Sequence, residues 1–238
     1  MHGPGNDRSQ WLRRRRIGLI AVAVTLLAAA GGEVSATQYT QDRIADSVRR
    51  DISLESNPEV HVHGFPVSLQ LARGVITGAD INVTHVPANL NGRVLTVQNL
   101  AMHLQRVRRE QSGRERADEA EVTATITFDD LSAFYGVDLS RGDGDDQVMA
   151  TTQVPLLGKI SASAHVGVAG PRAVGIEDVR LSENVPPTAR TLLGKALERE
   201  TALDNLPEGL ALQSVAITDH GIVALMSGHD VELQPRTA

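Results

Sequence analysis

The sequence predicts an α+β fold: one long, strongly curved antiparallel sheet of about nine strands wrapped around helices. Three observations lead there. Apolar residues alternate with polar ones over most of the chain after Gly74. Turn signals such as Asn91-Gly92 and Asp219-His220-Gly221 separate these runs at hairpin distances. Segments with helical period stand before the sheet and near its end, where they can lie against its concave side.

The elements follow in order. Arg13-Arg14-Arg15-Arg16 precedes "IGLIAVAVTLLAAAGG", Ile17–Gly32, which carries no charge. This is a basic region followed by an apolar one, as in an export signal. As a helix it would span ~24 Å at ~1.5 Å per residue, slightly short of a ~30 Å hydrocarbon core. A retained membrane anchor is the reading adopted, since the helix can run on toward Ala36. Cleavage after Ala28-Ala29-Ala30 or Val34-Ser35-Ala36 is the alternative. Either way residues 1–36 form a cytoplasmic tail with a signal or anchor, and residues 37–238 form an exported domain of the cell envelope. Ile44, Val48 and Ile52 then stand four apart among charges, as on an amphipathic helix that ends before Asn57-Pro58. A short strand, Glu59 to His63, leads into "GFPVSLQLARG", where Val67, Leu69 and Leu71 fit either a strand face or one or two helical turns. From Gly74 the period is two: Ala79, Ile81 and Val83 oppose Asp80, Asn82 and Thr84, and a long strand, Arg93 to Val107, follows the Asn91-Gly92 turn. "VTATITF" puts Val122, Ala124, Ile126 and Phe128 on one face. "DDLSAFYG" reads as a short helix capped by Asp129, and "SRGDGDD" as a loop. Strands follow at 147–154, 159–168 and 173–182, then a helix from Pro186-Pro187 to about Asp204, then two strands around "DHG".

Charge and composition exclude several functions. Beyond residue 36 the chain carries 18 basic and 27 acidic residues, a formal charge of −9. Such a surface does not suit nucleic acid, whose phosphates need cations. Nor does it cling to anionic membranes by general electrostatics, so membrane contact must be apolar or local. With no cysteine, disulfides, thiolate metal sites and a cysteine nucleophile are absent. Aromatic residues make up 3% of the chain, too few for a stacking pocket. No cofactor is implied. His61 and His63 share a strand face, but a metal site needs three or four ligands, and two exposed edge histidines are the simpler reading. Asp143, Asp145 and Asp146 lack the glycine and terminal glutamate of a calcium loop. The G-x-S-x-G and H-E-x-x-H patterns of hydrolases are missing. What remains is aliphatic: a cavity here would be lined by Val, Leu, Ile, Ala and Met and would suit acyl chains. Alternation alone cannot separate that from a filled core.

Four stretches together resemble the LmeA-like phospholipid-binding family of actinobacterial envelope proteins. They are "QDRIADSVRRDI", "VHVHGFPVSLQLARGVITGADINV", "TITFDDLSAFYG" and "NLPEGLALQSVAITDHGIVALMSGHDVEL". The resemblance covers Tyr39 to Leu233 and rests on order and spacing. It implies a tubular lipid-binding fold with an apolar groove, a phospholipid as partner, and a role in lipoglycan or envelope lipid assembly. It puts Phe65, Pro66, Val67, Leu69 and Leu71 at the groove mouth. With Ile44, Val48, Leu100, Met102, Leu104, Ile126 and Phe134 they form the expected lipid-binding set. Val67-Ser68 replaces the aromatic and Thr-Gln common in the family, which argues against deep insertion of this loop. A lipid or glycolipid hydrolase or transferase using His61, His63 or Asp129, and an envelope scaffold with a filled core, are the alternative functions.

Overall fold

The computed structural model describes residues 58–90, 93–110, 114–154, 158–183, 185–187, 190, 197–203 and 206–233. The expected anchor at Ile17–Gly32, the domain boundary at residue 36 and the helix carrying Ile44 and Val48 lie outside them. Among the described residues, no helix is long and apolar enough to cross a membrane.

The described chain is mostly β. Strands β1 (Glu59–His63), β2 (Val75–Leu90), β3 (Arg93–Arg109) and β4 (Glu115–Thr127) come first, with a six-residue helix α1 (Val67–Ala72) between β1 and β2. Helix α2 (Phe128–Tyr135) follows β4 directly. Then come β5 (Asp138–Arg141), β6 (Gln147–Val154), β7 (Gly158–Gly170), β8 (Ala173–Leu181) and β9 (Arg199–Ala202). The last two strands are β10 (Leu210–Ile217) and β11 (Gly221–Glu232).

These strands form two antiparallel sheets, not one. The six-stranded sheet has the order β1-β2-β3-β4-β11-β10 and the five-stranded sheet the order β5-β6-β7-β8-β9. Neither is closed or strongly curled, so the expectation of one curved sheet wrapped around helices is overturned. Alternation is identical whether a strand continues one sheet or starts another. The switch occurs at α2. Thr127, not Asp129, caps this helix: its Oγ1 accepts from Asp130 N at 3.1 Å, and Gly136 in the left-handed conformation (φ 74°) ends it. The chain then builds the second sheet before β11 returns to pair with β4. Two short strands escaped the sequence reading. β5 occupies part of the expected loop. β9 takes residues 199–202, so the helix expected to reach Asp204 gives way to a strand paired with β8.

The larger core lies on one face of the six-stranded sheet. Its apolar rungs run across all six strands. One passes from Val60 through Ile81, Met102, Val122 and Met226 to Leu212. The next passes from Val62 through Ala79, Leu104, Ala120 and Gly228 to Leu210. Each large apolar side chain fully buried here contributes about 1.5–3 kcal/mol. A second cluster gathers Phe128, Leu131 and Phe134 of α2 with Leu95, Val148, Val166 and Ile217. The sheets meet near the β7–β8 turn. There Leu212 N of β10 donates to Pro171 O (2.7 Å).

Candidate functional site

Three features of the six-stranded sheet are open to a functional reading. The first is the apolar face itself. Its central rungs are buried, with Ile81 and Leu104 each 1% exposed. Toward the β1 edge they open: Val60 and Val62 are only half-buried, yet they pack on the same cluster. β1 is an edge strand because nothing pairs with it beyond β2 among the described residues.

The second is the corner that continues β1. Gly64 turns the chain at φ 87°, and the Phe65–Pro66 peptide bond is cis. Phe65 stands 91% exposed and Leu69 44% exposed. Gln70 fastens the corner: its Nε2 donates to His63 O (3.2 Å) and its Oε1 accepts from Thr77 N (2.7 Å). A Cβ on Gly64 would press on that same Gln70 amide, which together with the positive φ explains the glycine.

The third is the polar face. Here the rung His61, Asp80, His103, Glu121 crosses four strands. His63 Nε2 donates to Asp80 Oδ2 at 2.8 Å, and His103 Nδ1 bonds to the other carboxylate oxygen. These bonds hold the Asp80 carboxyl below its ordinary range, the His103 bond first, then His63, against an opposing desolvation effect. His61 turns instead to Glu59 at 3.0 Å. An open concavity of about 480 Å³ lies over this face, lined by Glu59, His61, Asp80, His103 and Glu121 among others. Both histidines of the "HVH" motif are thus exposed edge-strand residues with carboxylate partners. Among the described residues, no set of three or more His, Asp or Glu side chains is placed to hold a metal ion.

Among the described residues, the expected lipid-binding set is divided between the core and the exposed corner. Leu100, Met102 and Leu104 are core residues, between 1% and 6% exposed. Ile126 is half-buried between the two clusters. Phe134 belongs to the α2 cluster, with the Arg93 guanidinium 4.6 Å above its ring. Phe65, Pro66 and Leu69 form the exposed corner. Val67 and Leu71 lie on α1. Ile44 and Val48 fall outside the described residues. Sequence reasoning missed Gln70 and the Asp80–His103 pair. The second was within reach, because a two-residue connection at Asn91-Gly92 fixes the β2–β3 register and sets Asp80 opposite His103.

The chain was compared with known proteins. No curated protein and no solved structure matches it. The family described as LmeA-like phospholipid-binding matches residues 31–227, well over half of the sequence. That description names binding of a phospholipid and no catalysis, in keeping with a binding protein. An aliphatic face running out to a half-open edge and an exposed corner agrees with it, and the chain belongs to the LmeA-like phospholipid-binding family.

Proposed function

We propose that this protein holds or carries one phospholipid in the cell envelope, without covalent chemistry, and so serves envelope lipid or lipoglycan assembly. Its acyl chains lie against the apolar face of the six-stranded sheet, reached past β1. The observation that carries this reading is the continuity of the apolar rungs. They run without a polar break from the core to half-buried Val60 and Val62, and the corner that follows this strand carries exposed Phe65. Each methylene moved from water onto such a face contributes about 0.8 kcal/mol, so an aliphatic surface suffices for affinity without a stacking pocket. The acidic exported part, the basic N-terminal tail and the apolar Ile17–Gly32 segment support an extracytoplasmic place.

Native mass spectrometry of the protein purified from its own host, followed by lipid extraction, tests the reading. The expected result is a one-to-one phospholipid adduct, with the lipid recovered chemically unchanged after long incubation. Protein that neither carries nor takes up lipid rejects the proposal. Lipid returned cleaved or transferred points instead to the enzyme reading.

A further inference from the structure

We infer that the corner formed by Phe65, Leu69, Arg73 and Val75 is a rigid foot that seats the six-stranded sheet on an anionic phospholipid bilayer. The inference rests on the lipid-carrying reading and adds to it where the protein meets the membrane that supplies or receives the lipid.

The first argument is clustering. Phe65 is 91%, Leu69 44% and Val75 37% exposed, three of the seven large hydrophobic side chains found exposed among the described residues. All three fall within eleven residues, on either side of one turn. Solvent exposure of a single apolar residue is ordinary, but a cluster at one corner marks a contact surface.

The second argument is rigidity. An exposed aromatic on a loose loop loses conformational freedom when it binds, and a fixed one loses little. This corner is fixed from three strands. Gln70 ties α1 to His63 of β1 and to Thr77 of β2. Arg73 N donates to Leu69 O (3.1 Å), closing the helical turn. Arg109 N of β3 donates to Gly74 O (3.0 Å). The turn that carries Phe65 is therefore tied to β1, β2 and β3.

Charge and size point to a lipid surface as the occupant. The protein is acidic, with a net charge of −6, yet no acidic residue lies between Glu59 and Asp80. Arg73 is exposed in that interval. Arg108 stands opposite Val75 in the register with Arg109 beside it, but they pair with Asp118 and Glu115, so Arg73 is the cation the corner itself offers. The corner is apolar, carries Arg73 and has no carboxylate in its own segment, which suits anionic headgroups over acyl chains better than the rest of an acidic surface does. Its size favours a bilayer over a folded protein. The exposed parts of the three apolar side chains total on the order of 300 Å². A stable protein interface takes ~800 Å² per partner. A shallow wedge with a basic rim is enough for weak, reversible seating at a lipid interface.

The test uses the full chain and compares two label positions, because an anchor at Ile17–Gly32 would bring both to the vesicle equally. Because the sequence has no cysteine, Ala72→Cys gives a single attachment point on the corner for an environment-sensitive fluorophore. Thr152→Cys gives a control on the five-stranded sheet. Each labelled protein is titrated with vesicles of phosphatidylglycerol and phosphatidylcholine containing spin-labelled lipid as quencher. The expected result is quenching and a blue shift at position 72 and neither at position 152. Adding Phe65→Ser should cut the quenching and blue shift at position 72 several-fold at vesicle concentrations where all the protein is bound. Arg73→Gln should weaken quenching several-fold on anionic vesicles and leave it unchanged on pure phosphatidylcholine. An unquenched label at position 72, or quenching indifferent to Phe65→Ser, overturns the inference. So does a blue shift that depends on protein concentration without vesicles, since it would mark pairing of two copies. Bound lipid in native mass spectra without quenching rejects the foot and keeps the carrier. Phe65-dependent quenching without bound lipid does the reverse.

Discussion

The two sheets are built from similarly alternating sequence, yet they bury very different amounts of it. In the six-stranded sheet the inward positions of β2, β3 and β4 are bulky and buried: Ile81, Val83, Leu100, Met102, Leu104 and Val122 are all at most 6% exposed. In the five-stranded sheet only Val148 and Val166 reach the buried core among the described residues. β7, "GKISASAHVGVAG", alternates small residues whose side chains are mostly half-buried. Alternation sets which face a residue takes, but volume decides whether that face drives folding. Stability is therefore concentrated in the first sheet, and the second is a thinner layer.

The largest expected effect breaks this comparison if it fails. Leu104→Ala removes a 1% exposed side chain from the centre of a rung and should cost about 2–5 kcal/mol in chemical denaturation. Val168→Ala on β7, 44% exposed, should cost under ~1 kcal/mol. Similar losses for the two would show that the sheets share the core equally. Next in size is Gly228→Ala. Its Cβ would land on the backbone carbonyl of Gly209, which cannot swing aside, so β10 and β11 must separate locally at a cost of about 1–3 kcal/mol. An unchanged denaturation midpoint would contradict the close pairing of those strands.

A smaller effect comes from the charged end of the same sheet. Glu115 is buried, and burial raises its carboxyl pKa, with Arg109 acting in the opposite direction. A raised carboxyl pKa means that ionisation costs more in the folded protein than in the unfolded one. Its stability contribution is therefore greatest below the ordinary glutamate range and is lost as pH rises through the folded value. Glu115→Gln removes that loss. Its melting temperature relative to the natural protein should be higher at pH 8 than at pH 4. An offset independent of pH, or one that moves the other way, refutes the assignment. Smallest of all, Phe65→Ala should leave stability within ~0.5 kcal/mol, because the ring is 91% exposed.

Much of the first sheet was legible in the sequence. Ala79, Ile81 and Val83 face inward as their alternation requires, and the connection between Leu90 and Arg93 closes the expected hairpin. Phe65 was legible as a surface residue because a Gly-Phe-Pro turn breaks the period. Strand order was not legible: β4 pairs with β11 across some hundred intervening residues, and nothing local records that. Nor was β9, whose four residues Arg-Glu-Thr-Ala follow a leucine-rich helical pattern and have no alternation to speak for them. Leu100, Met102 and Leu104, which the resemblance put in the lipid-binding set, are buried in the structure, and alternation alone looks the same for a core and for a ligand face.

A phospholipid carrying a photoactivatable group at the end of one acyl chain tests the central claim most directly. After binding, irradiation and proteolysis, the crosslinked peptides can be located by mass spectrometry. Labels are expected on Val60 and Val62 of β1, the half-buried end of the apolar rungs. Bound lipid that labels the five-stranded sheet alone, or that leaves β1 unlabelled, would contradict it.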